Sequence, residues 1–146
     1  MPGTERSTNA RRGAWEGQAL LELAIVAPLV LLLAVGIIGV GRVQQARNGL
    51  DVAAREAARA AAQGRNGGEA TARGLARGEE IARSHGLTNG SFALTIDARG
   101  LAPGDVVRAS ASYEVRFSDL PLQNWASMPL RATSREAIDQ YRSRGR

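Results

Sequence analysis

The strongest pattern in the chain is an apolar run from Leu23 to Gly41, LAIVAPLVLLLAVGIIGVG, 19 residues without one polar side chain, bounded by Glu22 and Arg42. As a helix it rises roughly 28 Å, close to the hydrocarbon thickness of a bilayer. The remaining chain is too small and too polar to wrap a helix that is apolar on every face, so the pattern predicts a single transmembrane segment and not a buried core helix. Past Arg42 the spacing of three and four continues. Val43, Ala46, Leu50, Ala53, Ala57 and Ala61 form a narrow apolar stripe, while Arg47, Asp51, Arg55 and Arg59 fall on other faces. Gly49 weakens this helix by about 1 kcal/mol relative to alanine without ending it. Glu56 and Arg59, three apart, predict a local ion pair. The stop signal is Gly64-Arg65-Asn66-Gly67-Gly68. One helix from about Ala19 to Gln63 would be roughly 65 Å long, more than a membrane requires.

A second helix is predicted from Glu69 to His85, with Gly86 as its C′ residue and Gly74 and Gly78 interrupting its pattern. After Thr88-Asn89-Gly90 the period changes to two. Phe92, Leu94 and Ile96 alternate with polar or small neighbours, which predicts a strand with one buried face. A turn over Arg99 to Asp105, containing Pro103-Gly104, leads to the clearest strand. There Val107, Ala109, Ala111, Tyr113, Val115 and Phe117 face one way, and Arg108, Ser110, Ser112, Glu114 and Arg116 the other. Together they predict an antiparallel hairpin with one wet face. Residues 118–129, with Trp125, are predicted as a loop. Leu130 to Tyr141 fits either a third strand or a terminal helix, with the strand preferred, and the last residues SRGR are expected to fray.

Composition narrows the function classes. The chain has 146 residues, no cysteine, one histidine (His85), and 19 basic residues, all arginine, against 14 acids for a net charge of +5. Disulfide scaffolds, cysteine zinc sites and c-type haem are excluded, and no catalytic site, metal site or cofactor is expected. The arginines are scattered and lack interleaved aromatics, so nucleic acid is not an expected partner. Attraction to anionic headgroups or to an acidic partner accounts for Arg42 and Arg47 more economically. Asn89-Gly90-Ser91 matches a glycosylation sequon. The arginines on the two flanks of the apolar run balance too closely for the positive-inside rule to give an orientation. A removable secretory signal, with Gly39 and Gly41 as the small residues before its cleavage site, is a competing reading that the length of the apolar run disfavours.

The junction before the run, Gly17-Gln18-Ala19-Leu20-Leu21-Glu22, places a carboxylate on the edge of the membrane, where it is costly unless it snorkels or is paired. Were the chain cut after Gly17, the new α-amino group of Gln18 would lie four residues from Glu22 on one helical face. The same charges could pair between neighbouring subunits, or Glu22 could be an interfacial residue before a plain signal anchor. Within the run, Pro28 removes one helix donor and predicts a kink or a locally melted turn where helices pack. Gly36 and Gly39, three apart with Ala34 nearby, would let another helix approach closely, although the ordinary composition of membrane helices supplies the same residues.

A short basic leader, a glycine, glutamate five residues on and an unbroken apolar helix look like a type IV prepilin or pseudopilin signal. More closely, EGQALLELAIVAPLVLLLAVGIIGVGR followed by VQQARNGLDVAAREAARAAA resembles the TadE-like proteins, minor pseudopilins of the Flp (tight adherence) pilus apparatus, over residues 14–63. The resemblance implies that Gly17 and Gln18 are the scissile pair of a membrane prepilin peptidase and Glu22 the acid needed for processing or subunit docking. It implies residues 1–17 as a cytoplasmic leader, 18–41 as the transmembrane helix, 42–63 as its extension and 64–146 as a small extracytoplasmic domain. The implied fold is α+β and pilin-like, a long N-terminal helix that spans the membrane and then projects, with a small antiparallel sheet packed on its outer half. Implied partners are the membrane, other pilins or pseudopilins through Pro28, Gly36, Gly39 and the rest of that helix, the peptidase and the Tad assembly machinery. Incorporation into a surface pilus is part of the same expectation. The alternative is an unprocessed, signal-anchored single-pass protein with an external partner-binding domain.

Overall fold

The computed structural model describes residues 5–118 and 126–139, and of residues 5–17 the backbone alone. Five elements follow in order: α1 (Glu5–Ala62), α2 (Gly67–Ser84), β1 (Ala93–Asp97), β2 (Val106–Arg116) and β3 (Ser127–Ala137). The architecture is the expected α+β, a long N-terminal helix and a small antiparallel sheet. The chain divides into two compact units, Met1–Gly39 and Val40–Arg146. The first holds the apolar part of α1, and the second holds the rest of the helix with α2 and the sheet.

α1 starts earlier than the hydrophobic pattern predicts. Its backbone is helical from Glu5, because residues 5–17 contain alanine, arginine and glutamate and no proline, with Gly13 and Gly17 as the weakest formers. The helix is continuous through Pro28, which leaves the Ala24 carbonyl without its usual donor.

In the second unit the alanine stripe is the core. Ala46, Leu50, Ala53, Ala57 and Ala61 are buried as the spacing predicts, and Ala54 and Ala58 widen the stripe. α1 ends at Ala62, ahead of the glycine-rich stop. Asn66 then caps α2: its Oδ1 accepts the Glu69 N–H at 2.9 Å, and the Glu69 carboxylate reaches back to the Arg65 N–H at 3.0 Å. This is the reciprocal logic of a capping box, shifted by one residue at its outer end. α2 therefore begins two residues before the predicted Glu69. Its far end closes as predicted. Gly86 takes φ +74°, and the Leu87 N–H bonds to the Ala82 carbonyl at 2.9 Å, the six-to-one bond of a Schellman motif.

The sheet order is β1-β2-β3, all antiparallel. Val107, Ala109, Ala111, Tyr113, Val115 and Phe117 are all buried, as the alternation predicts. Leu94 and Ile96 of β1 are half-buried and pack on the same core, and Phe92 packs beside them just ahead of the strand. The region left between helix and strand is strand: β3 begins at Ser127, inside the predicted loop, and ends at Ala137. Its opening residues Ser127, Met128 and Pro129 are exposed and include a proline, so they carry no strand signal of their own. Trp125, Tyr141 and the SRGR tail lie outside the described residues. Ahead of the start of β1, the preceding loop takes over its bonds to β2. The Asn89 amide donates to the Glu114 carbonyl at 2.7 Å, and the Glu114 N–H donates to Ser91 Oγ at 3.0 Å.

Candidate functional site

The apolar half of α1 is set apart by what it exposes. From Leu20 to Val40 its large aliphatic side chains lie open on every face, Ile25 at 68% and Leu29 at 71%. Gln18–Ala62 is long and apolar enough to cross a membrane, with a mean hydropathy of 2.9 in its best window. Leaving 13 such side chains in water forgoes on the order of 20 kcal/mol of transfer free energy, so this surface requires an apolar environment.

The junction residues sit at the edge of this belt. Gly17 lies within the helical backbone of α1. Gln18 and Glu22 are exposed one turn apart, which places their Cβ atoms about 5–6 Å from each other along the helix. Residues 18 and 22 thus share one face of the helix. The Gly17–Gln18 peptide bond lies inside helix, where the glycines at 13 and 17 each weaken the helix by about 1 kcal/mol relative to alanine. Pro28 and Gly36 lie further along the same helix. A Cβ added at Gly36 would meet nothing within 4 Å, so the described fold does not itself use that opening.

Elsewhere several titratable groups are committed to structure. His85 caps α2: its Nδ1 lies 3.0 Å from the Ile81 carbonyl, and its Cβ occupies the space where a side chain at Gly49 would begin. Glu56 does not pair with Arg59. It crosses to α2, where Arg77 reaches it across 3.7 Å while donating a hydrogen bond to Glu80 at 2.9 Å; the hydrogen bond to Glu80 first, and then the charges of Glu80 and Glu56, hold Arg77 further toward its charged form. The i,i+3 spacing on α1 was a true geometric signal, but α2 presented a better-placed cation that sequence distance concealed. Among the described residues no three histidine, aspartate or glutamate side chains converge as metal ligands. Burial pushes the Tyr113 hydroxyl up from its ordinary pKa.

With this geometry in place, the segment spanning residues 17–59 matches the family model of TadE-like proteins. The matched stretch contains the junction, the apolar belt and most of the alanine stripe, and it leaves α2 and the sheet outside. No curated protein and no solved structure matches the chain.

Proposed function

We propose that the chain is a TadE-like minor pilin or pseudopilin, a structural or assembly component of a Flp/tight-adherence pilus. The observation that carries this reading is the TadE-like match beginning at Gly17, the residue after which a prepilin peptidase would cut. Its physical counterpart is a helix that exposes aliphatic side chains all round and bears the Glu22 carboxylate at its entry. On this reading residues 1–17 are a cytoplasmic leader and residues 18–41 cross the bacterial cytoplasmic membrane. Residues 64–146 form the extracytoplasmic domain. Other pilins pack along the apolar helix near Pro28, Gly36 and Gly39. The protein performs no catalysis and is itself a peptidase substrate.

Mass spectrometry of the mature N-terminus, after co-expression with a cognate prepilin peptidase, tests the assignment. The expected chain begins at Gln18. A membrane-inserted protein that keeps Met1 or Pro2 favours the unprocessed signal anchor instead. Orientation is tested separately, because the chain lacks cysteine and an introduced one is its sole thiol. Ser91→Cys is expected to label with an impermeant reagent in intact spheroplasts, and labelling only after permeabilisation would reverse the topology.

A further inference from the structure

β3 is an edge strand, and bonds at the two ends of the β2–β3 ladder fix its phase. The Phe117 N–H donates to the Ala126 carbonyl at 3.3 Å, and the Ile138 N–H to the Asp105 carbonyl at 2.8 Å. Directly opposed residues of an antiparallel pair alternate between bonded and non-bonded pairs. Carried through the register, this turns the backbone groups of Met128, Leu130, Ala132, Ser134 and Glu136 toward β2, and those of Pro129, Arg131, Thr133 and Arg135 toward the open edge. Pro129 fits that phase, since its missing N–H falls where no ladder bond is lost. Among the described residues, no backbone bond satisfies the outward groups of Arg131, Thr133 and Arg135.

The same three side chains are exposed on the wet face of the sheet. Arg135 stands directly opposite Arg108, a like-charge pair that costs stability where it is left alone. Among the described residues, neither Arg131 nor Arg135 has an acidic partner. A second copy is a poor occupant of this edge. An antiparallel β3–β3 pair centred on Thr133 would set Arg131 against Arg135 twice. A strand with acids four positions apart meets both arginines and the open backbone at once.

We infer that the β3 edge accepts, as a fourth strand, an extended segment of a partner protein carrying acidic residues opposite Arg131 and Arg135. Pairing through Arg131, Thr133 and Arg135 supplies the main-chain bonds, and the two arginines select the charge. The inference concerns the sheet alone and stands whether or not the chain is cut after Gly17.

The probe is a fluorescent heptapeptide, Thr-Glu-Val-Thr-Val-Glu-Thr, titrated by anisotropy into the full chain in non-ionic detergent. Amide exchange is followed at Arg131, Thr133 and Arg135. Binding should protect those three amides. Replacing the central threonine of the peptide by proline, or both glutamates by lysine, should weaken binding about tenfold or more, the equivalent of one or two hydrogen bonds or charge pairs. Arg131→Glu with Arg135→Glu should reverse the preference toward the lysine peptide. Thr133→Pro removes one outward donor and no bond to β2, so it should lose binding while keeping its circular dichroism. Should that variant not fold, the proline peptide decides the question. Equal binding of the proline peptide, or of an oligothymidylate of equal charge, would reduce the edge to a charged surface and overturn the strand assignment. Absence of binding by the glutamate peptide overturns it as well.

Discussion

At Gly49 the absence of a side chain is occupied space. A Cβ there would lie 2.7 Å from the Cβ of His85, an atom fixed to the backbone of the α2 cap, and so could be admitted only by moving the end of the helix. Alanine gains about 1 kcal/mol of helix propensity, but overpacking of a contact with no flexible end costs typically about 1–3 kcal/mol, so the clash wins. Gly49→Ala is expected to lower the thermal midpoint of the folded domain, followed by circular dichroism in detergent. Gly36→Ala, with nothing within 4 Å of the added carbon, should leave that midpoint unchanged or raise it. These two glycines look alike in sequence. One lies in an apolar run and one in an amphipathic stripe, and neither context reveals which has a neighbour.

The same lesson recurs at the level of the element. Gly74 and Gly78 disrupt the apolar periodicity of α2, yet both are buried and form its contact face. A Cβ at Gly74 would approach Ala61 and Ile96 to 3.0 Å, and one at Gly78 would meet Leu94 and Ala57. Hydropathy patterns score what a side chain contributes, and here the contribution is closeness between α1, α2 and β1. By contrast the alternation in β2 and the line of the alanine stripe in α1, though not its full width, were legible, because each repeats its own period over many residues against one continuous surface. β3 was half legible: its inward residues alternate, but Pro129 and the arginines belong to the open edge. The α2 cap has a pH signature. The Arg65 N–H, first, and the nearby Arg73 and Arg65 charges hold the Glu69 carboxyl below its ordinary 4.5, so the folded state favours the ionised form. That contribution is complete above the unfolded value of 4.5 and is lost as pH falls through the lowered folded value. Urea midpoints measured across this acid range should converge for the natural protein and Glu69→Gln, and separate in favour of the natural protein near neutrality.

For the whole molecule, the proposed assembly role puts the greatest demand on Glu22. A carboxylate at the edge of packed apolar helices is costly unless matched, by several kcal/mol once desolvated. Cleavage after Gly17 would create a matching ammonium on Gln18, one turn away on the same face or across a subunit boundary. Glu22→Val should therefore insert into the membrane as well as the natural protein, or better, yet be depleted from sheared surface material, with Glu22→Asp between them. Normal recovery of Glu22→Val in the sheared fraction would show the charge to be dispensable. Half of this site was legible in the sequence, where the carboxylate and the apolar run stand side by side. That the Gly17–Gln18 bond lies in continuous helix was not, because the helix propensity of residues 5–17 carries no hydrophobic pattern.

The bonds that close the end of β1 also bear on how the protein ages. Asn89-Gly90 is the type of step at which an asparagine side chain is attacked by the next backbone nitrogen, closing a succinimide that reopens to aspartate or isoaspartate. Here that side chain is held on three sides: its Oδ1 accepts from the Ser91 N–H at 3.0 Å and the Ser91 hydroxyl at 2.6 Å, while its nitrogen donates to Glu114. Ring closure requires the side chain to swing away from all three, so deamidation is a property of the opened loop. A carboxylate left in its place would face the Glu114 carbonyl with no proton to offer, and β2 would lose its cover ahead of the first residue of β1. Isoaspartate at Asn89 would therefore record how often this corner of the sheet has come undone.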